Sequence, residues 1–371
     1  MLIYIITFAL SIILIGISEL KKTNHYVRNA CIITAILAPS ILAGVRDYSI
    51  GVDVLNYGNI WFYRANGVTN LWDYLQSANR QSVGPGYALL NYLVTQFTDN
   101  PHWFYFFLAL IEILLVYFAV KQYRKTISIP LSLCIYFFLY YNDSLNILRQ
   151  YPAVLIVLYS LKYIRSRRLL PFFICVLLAS SFHVTAIIGA VLYPVGLLSE
   201  SRIRKEFYYL MIIGVVAISA GLDSIISIIS SYGIIRYDRF ASYTAGEYVV
   251  GGRYLRFLLY GMQFFLFLLN KKRIEKKYNH TNIFFSICTI SLIMSLLPFI
   301  YQSAYIVRIA YYFDVFSIVY MPLVADNMKI RLWRKNTWKW AMIIMIYFTY
   351  WIFVYIVRNG AATYPYLFMQ S

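Results

Sequence analysis

The chain has 371 residues, of which 61% are hydrophobic, 19% aromatic and only 13% charged. Soluble domains are about half apolar and a quarter charged, so this composition excludes a water-soluble globular protein. The formal net charge of +18, in a chain this apolar, points to the charge asymmetry of a membrane protein and not to a nucleic-acid partner.

Apolar runs of about 16 to 22 residues recur along the chain, the length that crosses about 30 Å of hydrocarbon at 1.5 Å per residue. They predict an all-α polytopic membrane protein with about twelve transmembrane helices, at 2–19, 29–44, 102–120, 129–142, 144–164, 168–182, 183–198, 207–228, 253–270, 282–300, 303–324 and 340–357. The first run has no basic residue ahead of it and no clear small-residue cleavage pattern, and Lys21 and Lys22 follow it. It reads as an uncleaved anchor with its amino terminus outside. The basic loops at 21–28, 121–125, 165–168, 201–205, 271–277 and 329–339 alternate so as to share one side, which is then cytoplasmic. Both termini lie outside in this reading, as do the segment 45–101 and the loop 229–252. The eleven residues YALLNYLVTQF at 87–97 are too few to cross, so an interfacial or re-entrant helix is expected there. Residues 1–371 thus read as a single transmembrane domain.

Under this topology every lysine falls inside. The outer cations are Arg46, Arg64, Arg80, Arg149, Arg236, Arg239, Arg253, Arg256, Arg308 and Arg358. Arginine differs from lysine in its planar fork, which grips phosphate or carboxylate with two hydrogen bonds and keeps its charge when partly dehydrated. The alternative is that these side chains snorkel to lipid phosphates or pair with nearby acids. In NILRQYPAVLIVLYSLK at 146–162, Asn146, Arg149 and Gln150 would share one helix face, with Pro152 kinking the helix beside them. Arg308 lies near the outer end of its run with Tyr311 and Tyr312 one turn deeper. Asp314 and Glu112 sit within apolar runs, either at a functional site or in structural hydrogen bonds.

Several short motifs occur in order: Arg46, Gly51, Asp53 and Tyr57 in the first outer segment; Pro85-Gly86-Tyr87 followed by Asn91; Asn146 with Arg149-Gln150; Ser181-Phe182-His183; and Tyr364-Pro365-Tyr366. In this order and spacing the chain resembles the EpsG-type, or Wzy-type, polymerases that make bacterial O-antigen, capsule or exopolysaccharide. The resemblance covers nearly the whole chain. It departs at Val83-Gly84, where an acidic residue is expected before Pro-Gly-Tyr. The resemblance implies a multispanning, GT-C-like glycosyltransferase of the bacterial plasma membrane with an outer-face cavity. Such an enzyme transfers a growing glycan from undecaprenyl diphosphate to a sugar hydroxyl of the next lipid-linked repeat unit. Its partners would be that donor and acceptor, the lipid bilayer and a chain-length-regulating membrane protein.

That reaction needs a clamp for the leaving diphosphate, for which Arg46, Arg149, Arg253 and Arg308 are the candidates. It needs a base for the acceptor hydroxyl. His183 is expected in that role, oriented by Ser180 and Ser181, and Asp53 as the group that positions the acceptor; the reverse assignment stays open. Tyr57, Tyr87, Asn146, Gln150, Tyr311 and Tyr312 are expected to line the substrate site. No cofactor or metal is expected, since Asp47 and Asp53 lie six apart and do not form an Asp-x-Asp pair. The cysteines Cys31, Cys134, Cys175 and Cys288 all fall in apolar runs, spaced for neither a metal nor a disulfide. A flippase for the same lipid-linked sugar would carry internal repeats and midplane charges open to both sides. A ligase using the same donor would share almost the whole site.

The topology is checked with single cysteines in a background lacking the native four. Cysteines at Asn66 and Thr244 are expected to react with an impermeant maleimide from outside, and one at Asn279 is not. Labelling of Asn279 alone would invert the orientation.

Overall fold

The computed structural model describes residues 1–201, 252–300, 304–328 and 336–369, with 206, 210 and 214 as isolated positions. The expected span at 207–228 and the loop 229–252 lie almost wholly outside the described residues. The described part is helical throughout, with a single isolated bridge between Arg46 and Phe368.

Helix α1 (Leu2–Ser18) packs on α2 (His25–Gly44), which starts where the Asn24 side chain accepts from the amides of Tyr26 and Val27. The outer segment is a chain of short helices: a π-helical turn at Val54–Gly58, α3 (Asn59–Ala65), α4 (Leu71–Arg80) and α5 (Pro85–Thr95). The expected interfacial helix is α5, begun two residues earlier at Pro85. Asn100 caps α6 (Pro101–Lys121) with proline in the first turn, and Ser128 caps α7 (Ile129–Leu139). After these come α8 (Tyr141–Asn146), α9 (Gln150–Arg165) and α10 (Leu169–Phe182), and a 3₁₀ stretch at Val184–Val191 leads into α11 (Leu192–Ser199). The remainder is α12 (Arg253–Glu275), α13 (Thr281–Leu296), α14 (Ala304–Asp314), α15 (Ser317–Asn327) and α16 (Asn336–Trp351), the last running on as π-helix to Val357.

This is a helical membrane protein, but the twelve-span reading is not reached. Among the described residues four helical segments are long and apolar enough to cross: His25–Gly44, Pro101–Lys121, Thr281–Phe299 and Trp338–Val357. A fifth would be the pair Tyr305–Asp314 and Ser317–Asn327, bent by 50°. Leu2–Ser18, Ile129–Leu139, Leu169–Phe182 and Val184–Ser199 are apolar but shorter. An unbroken apolar sequence does not guarantee an unbroken helix, and among the described residues the expected spans 129–142, 144–164 and 303–324 are interrupted.

The run 144–164 is one of them. It is not a single helix kinked at Pro152. Helix α8 ends at Asn146, Ile147 leaves helical geometry (φ −99°, ψ 68°), and α9 begins again at Gln150. Pro152 falls in the first turn of α9, where its missing N–H removes no intrahelical bond. Residues Tyr151 to Leu158 are all buried, as befits a helix apolar on every side. Helices α6 and α10 flank α9, so its outer end, with Arg149, lies beside the carboxyl end of α10, with His183.

The carboxyl-terminal segment folds back over this end of the bundle. The Tyr4 hydroxyl donates to the Thr363 carbonyl at 2.8 Å, and Asn142 Nδ2 donates to Thr363 Oγ1 at 2.8 Å. The amide of Asp47 donates to the Leu367 carbonyl at 2.9 Å, and that of Met369 to the Val45 carbonyl at 2.9 Å. These bonds fix the stretch Val45–Gly51 that leads into Asp53.

Candidate functional site

A helix interrupted inside an apolar bundle leaves backbone groups that need partners. At the break between α8 and α9 the partners come from the outer segment. Asn146 Oδ1 accepts from the Val52 amide at 2.7 Å, and the Asp53 carboxylate faces the Leu148 amide. Gly51 permits this approach. Its φ is +92°, and a Cβ there would stand 2.5 Å from the Leu145 carbonyl oxygen. Its own amide donates to the Ala362 carbonyl at 2.8 Å.

Around the break the chain gathers charges. The positive charges of Arg149 and Arg308 act on both Asp53 and His183. Arg149 precedes the first turn of α9. Its Nη1 donates to the Ser82 carbonyl at 3.0 Å, and its guanidinium lies 3.8 Å from the Tyr57 ring centroid. Tyr87, fully buried, feels both Arg149 and Asp53. Burial holds the Asp53 carboxyl above its usual range, even though the two arginines and the Leu148 amide pull it down.

His183 sits where α10 ends and the 3₁₀ stretch begins. Thr185 orients it, not the two serines. Ser180 Oγ donates to the Val176 carbonyl and Ser181 Oγ to that of Leu178, so both hydroxyls are turned back to their own helix. The Thr185 hydroxyl lies 2.6 Å from His183 Nδ1 and 3.0 Å from the Tyr312 hydroxyl. Gln150 adds to this chain: its Nε2 donates to the Arg308 carbonyl at 2.7 Å, and its side chain also meets Tyr312. The motifs around Gly86 and Phe182 touch directly, since a Cβ at Gly84 or Gly86 would collide with Ser181 and Phe182.

Two expected members of the arginine set lie elsewhere. Arg46 is 1% exposed. Its Nη1 donates to the Leu145 carbonyl at 3.0 Å, its guanidinium stacks 4.6 Å from Tyr105, and its field falls on Glu112 of α6. It ties α2 to α8 and serves the fold. Arg253 stands 5.2 Å from the Tyr254 ring and 5.3 Å from that of Phe299, and no contact among the described residues joins it to Asp53 or His183. Tyr311 meets neither Arg149 nor Arg308 in any contact among the described residues; its ring lies 5.5 Å from the Arg256 guanidinium. With Tyr151 it donates to Asp143 Oδ2, each at 3.1 Å.

Sequence reading missed Asp143, Thr185 and the partner of Asp314. Asp314 is ion-paired with Arg256, which the Tyr260 ring flanks, while the Tyr140 hydroxyl bonds the Asp314 carbonyl at 2.5 Å. Asp143 carried a legible signal: it lies three residues before Asn146, in a short polar cluster with Asn142 and Ser144 that follows an apolar and aromatic run. Asp47 is capped by Ser49, whose amide and hydroxyl donate to Oδ1 at 2.9 and 2.7 Å and hold its carboxyl below the usual range.

Gly51→Ala tests the clip between the outer segment and the break. The strained φ and the collision with Leu145 are expected to cost about 2 to 4 kcal/mol, read as a lower unfolding midpoint in detergent. Gly67→Ala is the control. Its φ is +110° but its Cβ would meet nothing within 4 Å, so it carries the backbone strain alone. Equal shifts in the two variants would remove the argument from close approach.

A profile described as the EpsG family matches residues 29–368. No curated protein and no solved structure gives a significant match.

Proposed function

The chain belongs to the EpsG family, and on that premise we propose that it is a polysaccharide polymerase of the bacterial plasma membrane, acting at its outer face. It transfers a growing glycan from undecaprenyl diphosphate to a sugar hydroxyl of a lipid-linked repeat unit. What supports this reading is that the charges of Arg149 and Arg308 act on both Asp53 and His183 at one end of the bundle, beside a broken helix. The Arg149 guanidinium, held by Ser82 and Tyr57, with the charge of Arg308 beside it, suits a leaving diphosphate, whose charge grows as the glycosidic bond breaks. A half-buried carboxyl whose basicity is raised suits removal of the acceptor proton.

In this reading Asp53 is the base and His183 positions the acceptor, the reverse of the preferred sequence assignment. A proton taken up by His183 would add a third positive charge beside Arg149 and Arg308. A proton taken up by Asp53 removes a half-buried negative charge. Tyr57 and Tyr87 flank Arg149, while Asn146, Gln150 and Tyr312 hold the break, the Arg308 backbone and Thr185 in register. The GT-C-like architecture and a chain-length-regulating partner belong to the same proposal.

Purified protein incubated with a lipid-linked repeat unit is expected to give a ladder of longer lipid-linked glycans. Movement of the substrate across a bilayer without new bonds would make it a flippase, and transfer only to a different acceptor would make it a ligase. The ladder assay also separates the two bases. Asp53 must be ionised to act, so the rate falls as pH drops through its raised pKa. Asp53→Asn is expected to remove that acid limb and to slow turnover by about 10²-fold or more. His183→Ala slows the reaction but keeps the limb. Loss of the limb in His183→Ala alone restores histidine as the base.

Lysine substitutions test the clamp. Arg149→Lys and Arg308→Lys keep the charge and lose the fork, so each is expected to lower turnover by about 2 kcal/mol of transition-state stabilisation with normal expression. Arg64→Lys serves as the control. Its Nη1 donates to Gln81 Oε1 at 2.7 Å in the outer segment. Full activity in both test variants would assign these arginines to lipid phosphates.

A further inference from the structure

Helix α9 has a second polar end. It runs for 16 residues from Gln150 to Arg165, so Arg165 stands about 24 Å from the Asp53 group at 1.5 Å per residue. Beside it the α6–α7 loop and Tyr278 enclose a cavity of about 380 Å³. Four cations line it, Lys121, Arg124, Lys125 and Arg165, with no carboxylate among the lining residues. Basic loops on one face of a membrane protein are ordinary. Here, however, the cations surround a cavity that contains unsatisfied donors. The Arg165 guanidinium is held 4.6 Å from the Tyr123 ring and 5.5 Å from that of Tyr278. Its Nε and the Tyr278 hydroxyl are buried without hydrogen-bond partners, while the Tyr123 hydroxyl faces the Arg165 side chain. Two unpaired buried donors at one place call for an acceptor, and four like charges without a carboxylate in the lining call for an anion. Glu200 acts on Tyr278 from outside the lining.

We propose that this cavity is a binding site for a phosphate oxyanion, carried either by the headgroup of an anionic phospholipid or by a free phosphate or diphosphate. The planar Arg165 fork, set between two tyrosine rings, would grip two oxygens, and the flexible cations of the loop would close over the remaining charge. The site stands at the end of the bundle that the basic loops assign to the cytoplasm, and it is independent of the polymerase reading.

The test reads the cavity locally. Thr126, in its lining, is changed to cysteine in full-length protein lacking the native four cysteines, and its reaction with an uncharged polyethylene glycol maleimide is timed. In phosphatidylcholine nanodiscs, millimolar inorganic pyrophosphate is expected to slow labelling about fivefold, as for a mostly occupied site. Nanodiscs containing phosphatidylglycerol are expected to slow it without pyrophosphate. Protection by pyrophosphate alone identifies a free phosphate, and protection by phosphatidylglycerol alone identifies a lipid headgroup. Either protection is expected to vanish in Arg165→Gln and to weaken in Arg124→Gln, whose exposed side chain can be changed without disturbing the packing. Labelling unaffected by both additions, or protection that survives in both variants, overturns the proposal. Pyrophosphate bound at the distant Asp53 group leaves Thr126 unprotected, so the two sites are read separately.

Discussion

The break between α8 and α9 is the constraint from which the rest of the outer end follows. A continuous helix satisfies its own backbone; an interrupted one in an apolar bundle must find donors and acceptors elsewhere. Here Arg46 donates to the Leu145 carbonyl, the Asn146 side chain accepts from the Val52 amide, and the Asp53 carboxylate faces the Leu148 amide. The break therefore draws the outer segment down onto the membrane helices. It also places Arg149 at the start of α9, where its side chain can reach both Ser82 and Tyr57. Structure and candidate chemistry use the same few residues.

Distant parts of the chain hold this arrangement. The carboxyl-terminal segment bonds to Tyr4, to Asn142, and to the backbone between Val45 and Gly51. Trp351 Nε1 donates to Asn142 Oδ1 at 2.7 Å, closing the circuit from α16 to α8. Helix α14, which carries Arg308, is anchored at its far end by the buried Arg256–Asp314 pair. Such a pair adds little net stability, because both charges must be dehydrated, but removing one partner leaves the other buried and unmatched. It fixes α12 against α14 and so helps to set where Arg308 stands.

Much of the site was legible as residue types but not as partners. Arg149, Arg308, Asp53 and His183 stood out because charges and histidine in an apolar chain are costly and call for a reason. Their meeting could not be read, since the four lie on separate elements between positions 53 and 308. Arg46 looked like Arg149 in the sequence. Burial under Tyr105 and a bond to Leu145 give it a different task. The serines before His183 were plausible orienting groups until their hydroxyls proved committed to their own helix, which left Thr185 in that place.

Composition and apolar run length by themselves determined that the chain is helical and resides in a membrane, because the cost of burying backbone and charge in lipid depends on amounts and lengths that a sequence states directly. The order of its motifs determined the family resemblance. Only the tertiary structure decided where helices break. The residues from Ser144 to Lys162 are compatible with one helix or two, and the choice depends on whether other segments can satisfy the freed groups. The groups that meet the break, Val52 and Asp53 on one side and, on the other, the Arg308 carbonyl that accepts from the Gln150 side chain, come from about a hundred residues before and a hundred and fifty after, a separation that no local pattern encodes.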